Sequence, residues 1–298
     1  MIKAGVDWGS SSLRAYRFDA QKVIDTVASE RGIKTFKSQN KDTQFEHVLF
    51  NLIGNWLQPG DGIILSGMIT SVDGWVDTPY LPCPVSCTAL ASNLTHKVIR
   101  DCDLYFVPGV CQSSPQPDVM RGEELQLLGE GDQHNNTLVI MPGTHSKWAQ
   151  LKHGTIQQFR TIVTGELFDV LRNQTLVGQL AAESEWHEKA FTNGVAQGYT
   201  SQTIISDLFA CRSGVLLNQH PAEDIDSYLS GLLIGNEIRE GLTIATDISE
   251  IALIGSDSLC DKYRLALNHL NLDTVVQNEN PAQDAAATGY IKLMQDIN

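Results

Sequence analysis

The sequence has little positive charge, with 21 Lys and Arg against 35 Asp and Glu and a formal net charge of −14. Such a surface repels a nucleic-acid backbone or an anionic membrane, so neither is expected as a partner. The chain also lacks an apolar run of 18 residues and an early basic-then-apolar segment with a cleavage site. We therefore expect a cytoplasmic protein.

Several familiar site motifs are missing as well. No Gly-x-x-x-x-Gly-Lys-Ser/Thr segment occurs, which excludes a P-loop nucleotide site. Of the six cysteines only Cys83 and Cys87 are close in sequence, and no Cys or His pair elsewhere has zinc-site spacing. Free buried thiols are favoured over a disulfide or a metal site in a reducing compartment.

The length of 298 residues and the 42% share of hydrophobic residues fit one large or two ordinary globular domains. The polar segment 129–136 is rich in Gly and Asn and is the favoured boundary. We predict an N-terminal domain at residues 1–132 and a C-terminal domain at 133–298, with the last helix packing back at the interface between them.

A short polar turn interrupts two apolar runs at the start of the chain. Residues 2–6 and 13–18 predict two strands, and between them Gly9 precedes three hydroxyl residues, Ser10, Ser11 and Ser12. Consecutive N–H groups and hydroxyls in such a turn suit phosphate oxygens, and Asp7 would then hold a metal ion beside them. The alternative is a plain hairpin.

The same pattern returns 134 residues later, where Gly143, Thr144, His145 and Ser146 follow the apolar run 138–141. Two such units indicate a duplicated domain with two phosphate turns facing one another across a cleft. The copies differ, because Met141 stands where the first has Asp7. One Mg²⁺ and two bound phosphates would fit this asymmetry. His145 either contacts a phosphate or is only solvated.

Apolar spacing predicts the remaining elements. Residues 22–30 predict a third strand, 42–57 an amphipathic helix and 62–66 a buried parallel strand. A helix is expected over 118–129, with Asp118 as its cap, and further helices and strands follow after residue 164. Gly231 and Gly235 inside a helical pattern indicate close approach by another element or a ligand.

The loop 67–84 follows the predicted parallel strand and combines glycines, prolines and aromatic residues. Ligands of open α/β sheets bind beyond the carboxyl ends of strands, which makes this loop a candidate substrate contact. The alternative is a rigid connection with Trp75 and Tyr80 packed over a core edge. Gly255 either borders a nucleotide ring or forms a tight strand-to-helix turn.

Seven blocks of this sequence resemble the 2-dehydro-3-deoxygalactonokinase family of the actin-like ATPase and sugar kinase superfamily. They are Asp7-Trp8-Gly9-Ser10-Ser11-Ser12-Leu13-Arg14, Ser66-Gly67-Met68-Ile69, Gly74-Trp75, Pro79-Tyr80, Asp118-Val119-Met120-Arg121-Gly122-Glu123-Glu124, Pro142-Gly143-Thr144-His145-Ser146-Lys147-Trp148 and Thr164-Gly165-Glu166-Leu167-Phe168. The resemblance spans nearly the whole chain. It implies an α/β fold of two duplicated ribonuclease H-like domains facing across a cleft.

The resemblance also implies an ATP-dependent kinase that phosphorylates the terminal (6-) hydroxyl of 2-dehydro-3-deoxy-D-galactonate in galactonate catabolism. Asp118 matches the position of the catalytic base, Asp7 would place Mg²⁺, and Gly255 would border the adenosine. The two turns would bind the ATP phosphates through Gly9, Ser10, Ser11, Ser12, Gly143, Thr144 and His145. Candidate substrate contacts are Arg14, Gly67, Met68, Trp75, Tyr80 and Arg121.

The substrate is itself a carboxylate, so an acidic protein must offer it a local cation, and Arg14 and Arg121 are the candidates. Arg121 could instead pair with Glu124 or Asp118 along the predicted helix. Two rival functions stay open, a kinase of another sugar or keto acid on the same fold and a non-catalytic ATP-binding regulator. The oligomeric state is also open, with a homodimer as one alternative.

Overall fold

The computed structural model describes residues 1–36, 40–130, 136–182, 185–246, 248–272 and 276–297, without the side chains of 276–283. The chain divides into two compact units. The first comprises Met1–Asn135, Leu151–Gln158 and Ala282–Asn298, and the second Asn136–Gln150 and Phe159–Pro281. The boundary predicted after residue 132 lies outside the described residues. No helix in the described ranges is long and apolar enough to cross a membrane.

The first unit is built on a mixed sheet with strand order β3-β2-β1-β4-β8-β7. The strands of the first unit, in chain order and including those outside this sheet, are β1 (Ile2–Trp8), β2 (Leu13–Asp19), β3 (Lys22–Ser29), β4 (Gly62–Ser66), β5 (Tyr80–Pro82), β6 (Val85–Ser86), β7 (Thr95–Ile99), β8 (Cys102–Phe106), β9 (Gly109–Gln112) and β10 (Asp118–Met120). Strands β1 to β3 pair antiparallel, while β4 is parallel to β1 and β8. The predicted antiparallel start and parallel strand are confirmed.

The helices of this unit are α1 (Lys41–Ile53), α2 (Cys87–Ala91), α3 (Glu123–Glu130) and α9 (Ala282–Asp296). The predicted amphipathic helix is confirmed as α1, which a short 3-10 helix, Gly54–Trp56, extends. The α1 residue Phe45 packs in one apolar core with Trp8, Ile63 and Trp75. This core fixes the strands whose carboxyl ends carry Asp7 and Gly67.

The predicted helix over 118–129 is wrong at its start. Asp118–Met120 form β10, which pairs antiparallel with β9 in a small three-stranded sheet, β10-β9-β5. Gly122 has φ +108, a left-handed backbone that does not continue a helix, so α3 begins only at Glu123. Asp118 is therefore not a helix cap.

The second unit repeats the strand arrangement of the first. Strands β15 (Val276–Pro281), β14 (Glu250–Gly255), β11 (Asn136–Met141), β12 (Ser146–Lys152) and β13 (Thr155–Ile162) lie side by side in that order. Thus β13-β12-β11-β14-β15 matches β3-β2-β1-β4-β8, with β14 parallel to both β11 and β15. Residues 273–275 of the predicted last strand lie outside the described residues. The duplication predicted from the two turns is confirmed at the level of strand order.

Helices α4 (Thr164–Gln174), α5 (Glu188–Thr200), α6 (Ile204–Leu216), α7 (Ile225–Gly241) and α8 (Asp257–His269) complete the second unit. The close approach predicted at Gly231 and Gly235 is confirmed. A Cβ on Gly231 would lie 2.0 Å from the Phe191 carbonyl oxygen, and one on Gly235 would lie 2.2 Å from that of Val195. Helices α5 and α7 therefore cross with their backbones touching.

We expect Gly235→Ala to destabilise the protein by about 1 to 3 kcal/mol, because the added methyl group must push the α5 backbone away. The higher helix propensity of Ala offsets at most about 1 kcal/mol of this cost. The matched control is Gly54→Ala, where the nearest atom to the new Cβ is 3.9 Å away and φ is −58. Urea unfolding measures both, and equal stability of the two variants would contradict the packing argument.

Candidate functional site

Asp7 lies where β1 ends, between two neighbouring strands. Its partner across β2 is Arg14, and its partner in β4 is Ser66. Gly67 has φ +87, and a Cβ there would lie 2.9 Å from Asp7 Oδ1. A Cβ on Gly122 would lie 3.1 Å from the Gly67 Cα and 4.0 Å from the same oxygen. Two glycines therefore let the backbone close around the carboxylate, which only residues without side chains permit.

The Asp7 carboxylate lacks sufficient positive charge around it. Burial raises its pKa to about 6, the charge of Glu123 adds to this, and Arg14 opposes it. A cation at this position would relieve both effects. The described residues contain no group of three His, Cys, Asp or Glu that could hold a metal ion. Proteins commonly bind Mg²⁺ through one or two carboxylates together with phosphate oxygens and water.

The first turn directs its carbonyl groups into the protein. The carbonyl oxygens of Gly9, Ser10 and Ser11 accept hydrogen bonds from Ile33, Lys34 and Gly32 N–H, respectively. In the part of the chain that the structure describes, the N–H groups of Ser10, Ser11 and Ser12 make no backbone hydrogen bond of this kind. Consecutive N–H groups in such a turn can donate to an anion, and the phosphate site at this turn stays a prediction.

Glu124 is a buried acid next to Asp7 that sequence reasoning did not single out. Its side chain is 0% exposed, and its Oε2 accepts a hydrogen bond from Gly122 N–H at 2.6 Å. Burial raises its pKa to about 8, with Glu123 adding to the effect. The buried Tyr290 hydroxyl lies close by and bonds Ser66 Oγ at 2.5 Å. In the sequence this acid is visible only as the second residue of the pair Glu123-Glu124 after Gly122. The spacing of apolar residues in a predicted helix does not show that it is buried.

The Arg121 guanidinium is held by the loop that follows β4, whereas the Arg121 backbone N–H donates to Glu123 Oε2 at 3.0 Å. Its guanidinium donates to the Thr70 carbonyl and hydroxyl at 2.6 and 2.7 Å and to the Thr78 hydroxyl and carbonyl at 2.5 and 2.9 Å. It also lies 4.3 Å above the centre of the Tyr80 ring and is only 9% exposed. The sequence alternative of pairing with Glu124 or Asp118 therefore does not describe its hydrogen bonds.

The other loop candidates separate into packed and accessible residues. Trp75 is 7% exposed and stacks with Phe45, which matches the alternative of a rigid core connection. Met68 begins a short 3-10 helix and packs against the same core. Tyr80 is 41% exposed, and Gly67 provides the close approach to Asp7 described above. Only Tyr80 among these side chains offers a large accessible surface.

Asp118 is the first residue of β10 and is partly exposed. Its Oδ1 accepts a hydrogen bond from the Val119 N–H at 2.8 Å, and Gln112 of β9 is its strand partner. The small sheet brings Asp118 to the same layer as Tyr80 of β5. Arg121, three residues later, contacts that tyrosine. Within the small sheet, Asp118 pairs with Gln112 and Tyr80 with Gly109, so these two residues lie at opposite ends of β9. The structure therefore brings Arg121 to Tyr80 and does not bring Asp118 to either.

The second turn has a similar form but a different set of side chains. Gly143 N–H donates to Ser146 Oγ at 3.4 Å, and Glu166 N–H donates to the Thr144 carbonyl at 3.0 Å. A Cβ on Gly165 would lie 2.5 Å from the Gly143 carbonyl oxygen, so the start of α4 packs on this turn. His145 Nε2 and Glu166 Oε2 are 2.6 Å apart on an exposed surface. This pairing uses Nε2 and not the other ring nitrogen of His145.

A cavity of about 240 Å³ adjoins the second turn within the same unit. Gly143, Thr164 and Gly165 line one side, and Ser230, Leu233 and Leu259 line another. Gly255 does not line it, and a Cβ there would contact Cys260 Sγ at 3.3 Å and Pro142 Cδ at 3.5 Å. The helix that follows Gly255, α8, contributes Leu259 instead. The mostly apolar walls and few polar groups are typical of a small-ligand pocket.

Comparison with known proteins gives concordant results. The family model described as 2-keto-3-deoxy-galactonokinase matches residues 7–293. The 2-dehydro-3-deoxygalactonokinase of Escherichia coli (strain K12) is 32% identical over 269 residues, 90% of each chain. A probable 2-dehydro-3-deoxygalactonokinase of Rhizobium meliloti (strain 1021), DgoK1, is 34% identical over 278 residues, 91% of this chain and 90% of the relative.

A crystal structure from Sinorhizobium meliloti, of a protein assigned as a 2-dehydro-3-deoxygalactonokinase, superimposes with a TM-score of 0.81 at 31% identity. It covers 99% of this chain and 95% of its own. Together with the repeated strand order, this likeness confirms the predicted class, an α/β fold of two duplicated ribonuclease H-like units of the actin-like ATPase type.

We expect wild-type stability to fall between pH 5 and 8 relative to Glu124→Gln. The folded protein binds the Glu124 proton up to a pKa of about 8, whereas the unfolded chain releases it near 4.5. The contribution of Glu124 to the free energy of unfolding is therefore full at low pH. It is lost as the pH rises through this window, by as much as about 4 kcal/mol. Gln resembles the protonated acid and does not titrate. Urea unfolding at pH 5, 7 and 9 measures this, and parallel pH profiles would contradict it.

Proposed function

The chain belongs to the 2-keto-3-deoxy-galactonokinase family, a group of phosphotransferases with an alcohol acceptor, and we propose how its own residues carry out the reaction. The reaction transfers the γ-phosphoryl group of ATP to the terminal (6-) hydroxyl of 2-dehydro-3-deoxy-D-galactonate, in galactonate degradation. The observation that carries the residue assignment is the repeated Gly-hydroxyl turn. It follows the middle strand of the same five-strand order in each unit, β1 in the first and β11 in the second.

The two turns bind the phosphates of ATP in this proposal. Ser10, Ser11 and Ser12 offer backbone N–H groups and hydroxyls in the first unit, beside Gly9. In the second unit Thr144 offers its backbone N–H and hydroxyl and His145 its backbone N–H, beside Gly143, and the cavity that Gly143 lines receives the adenosine. His145, fixed through Nε2 by Glu166, directs its other ring nitrogen toward a phosphate. Gly255 contributes indirectly, by starting α8 next to that cavity.

Asp7 places Mg²⁺ in this proposal, directly or through water. The support is the carboxylate whose pKa is raised to about 6 by burial and by Glu123, since a nearby cation would stabilise its charged form. Bound Mg²⁺ would neutralise part of the phosphate charge that develops during transfer. At Gly67 and Gly122 the backbone passes so close to Asp7 that a Cβ would crowd the carboxylate or the facing backbone.

Asp118 serves as the base that accepts the proton of the sugar-acid hydroxyl. Phosphoryl transfer depends mainly on positioning and charge neutralisation, so a carboxylate of ordinary basicity suffices when the proton leaves late. Its partly exposed position at the start of β10, where a ligand can reach the carboxylate, supports a substrate-facing role. Gly67 and Met68 begin the loop 67–84 that follows β4, and Trp75 of this loop packs in the apolar core.

Arg14 is the proposed contact for the substrate carboxylate. Arg121 is the other candidate from the sequence, but both terminal nitrogens of its guanidinium already donate to Thr70 and Thr78. Arg14 lies on β2 opposite Asp7, where its charge acts on that carboxylate. Arg121 then holds the loop 67–84 through Thr70 and Thr78 and packs against the Tyr80 ring.

We expect ADP release to be fastest with 2-dehydro-3-deoxy-D-galactonate in a panel of 2-keto-3-deoxy acids and hexoses. The substrate needs both a terminal hydroxyl for Asp118 and a carboxylate for Arg14.

Asp118→Asn should lower turnover by at least about a hundredfold and leave ATP affinity nearly unchanged, because the amide cannot accept the proton. Asp103→Asn, a change of an acid that pairs with His96 on the surface, is the matched control.

A panel without preference for the galactonate-derived acid would favour a kinase of another acid on this fold. Wild-type turnover in Asp118→Asn would remove Asp118 from the mechanism. A chain that binds ATP and releases no ADP with any acceptor would be the non-catalytic regulator.

We expect Asp7→Ala to weaken Mg²⁺-dependent ATP binding by about tenfold or more, because the carboxylate that places the ion is lost. Titration of ATP with and without Mg²⁺ measures the effect by calorimetry. The metal-free affinity should change little or improve, since a negative charge near the phosphates is removed. The same Mg²⁺ dependence in variant and wild type would argue against metal placement by Asp7.

A further inference from the structure

A single buried carboxylate in α7 connects the parts of the second unit that surround the cavity. Glu237 is 0% exposed, and its two oxygens accept hydrogen bonds from Trp148 Nε1 and the Tyr263 hydroxyl, both at 2.7 Å. Thr164 and Ser146 also hydrogen-bond this side chain. In the described residues no cation pairs with Glu237, so four neutral donors alone satisfy the acid.

These donors come from three elements of the second unit, β12, α4 and α8, and three of the donors belong to the proposed nucleotide site. Ser146 ends the second turn and bonds Gly143, while Thr164 begins α4 and lines the cavity. Tyr263 lies on α8 and lines the cavity as well, and its hydroxyl is 3.3 Å from Ser146 Oγ. Glu237 itself does not line the cavity. It lies behind the wall and is bonded to the residues that form it.

A buried acid without a cation is an expensive way to stabilise a core. Burial raises the pKa of Glu237, and the four donors oppose this only in part. Apolar residues of similar size are often as stabilising as buried charged groups, so packing alone does not require a carboxylate here. What a carboxylate provides is two oxygens with several lone pairs, which can orient several donors at the same time.

We propose that Glu237 is a positioning residue for ATP, because it orients Ser146, Thr164 and Tyr263 around the turn and cavity that receive the nucleotide. This inference rests on the proposed function of the second unit as the ATP-binding half. It does not depend on which sugar acid is phosphorylated. The phosphate turn and the adenosine cavity are then set by one shared acceptor, so a change at Glu237 affects both.

The test compares Glu237→Gln with Glu240→Gln, which changes an exposed acid three residues later on the same helix, paired with Arg160 at 3.7 Å. Gln retains one carbonyl oxygen and replaces the other acceptor with a donor. Calorimetry with Mg²⁺ and a non-hydrolysable ATP analogue should show the Kd raised about tenfold in Glu237→Gln and unchanged within about twofold in Glu240→Gln. The KM for the sugar acid should stay within about twofold of wild type in both variants.

Tyr263→Phe provides a second variant, since it retains the ring in the cavity wall and removes one donor to Glu237. It should raise the analogue Kd by a smaller factor, about threefold, and the double variant should resemble Glu237→Gln alone, because both changes break the same bond. If Glu237→Gln proves too unstable to purify, Tyr263→Phe alone serves as the test.

A folded Glu237→Gln protein with wild-type analogue affinity would overturn the proposal, as would a Tyr263→Phe variant that binds the analogue as tightly as wild type. The proposed function is tested separately by the wild-type protein. A wild type that binds the analogue but phosphorylates no sugar acid refutes that function, while a raised Kd in Glu237→Gln still supports the role of Glu237.

Discussion

Both units contain buried carboxylates that no neighbouring cation is sufficient to neutralise. How these acids are satisfied is the constraint on which both units depend. Asp7, Glu124 and Glu237 each have a pKa raised above the ordinary value, in every case chiefly because of burial. The protein satisfies such acids with backbone N–H groups and hydroxyls, as in the bond from Gly122 N–H to Glu124. They cost folding free energy, which only a cation near the carboxylate, such as one beside Asp7, would offset.

Close backbone approach makes this arrangement possible in the first unit. Gly67 and Gly122 meet beside Asp7, and α3 and α9 cross where a Cβ on Gly129 would lie 2.0 Å from the Ala285 carbonyl oxygen. Helices α5 and α7 use the same device in the second unit. Small residues at these crossings let the helices pack closely, and Tyr290 of α9 reaches Ser66 at the end of β4.

The two copies of the fold have diverged in what they offer a ligand. The first turn follows Asp7 and lies beside Arg14, so it combines amides with charge. The second follows Met141 and is supported by Ser146 and the donors around Glu237, so it combines amides with a cavity. This division matches a reaction that needs metal placement at one part of a phosphate chain and nucleotide recognition at the other.

The sequence by itself determined the opening antiparallel strands, the parallel strand at 62–66, the duplicated turns and the family, because apolar periodicity and contiguous motifs are local properties of the chain. It also indicated that Gly231 and Gly235 mark a close approach. It did not determine where β10 ends and α3 begins, since pairing with β9 and the backbone of Gly122 decided these. Only the tertiary structure assigned Arg121 to Thr70 and Thr78 and brought Glu237 to its four donors, because these partners are far apart in sequence and meet only when the chain has folded.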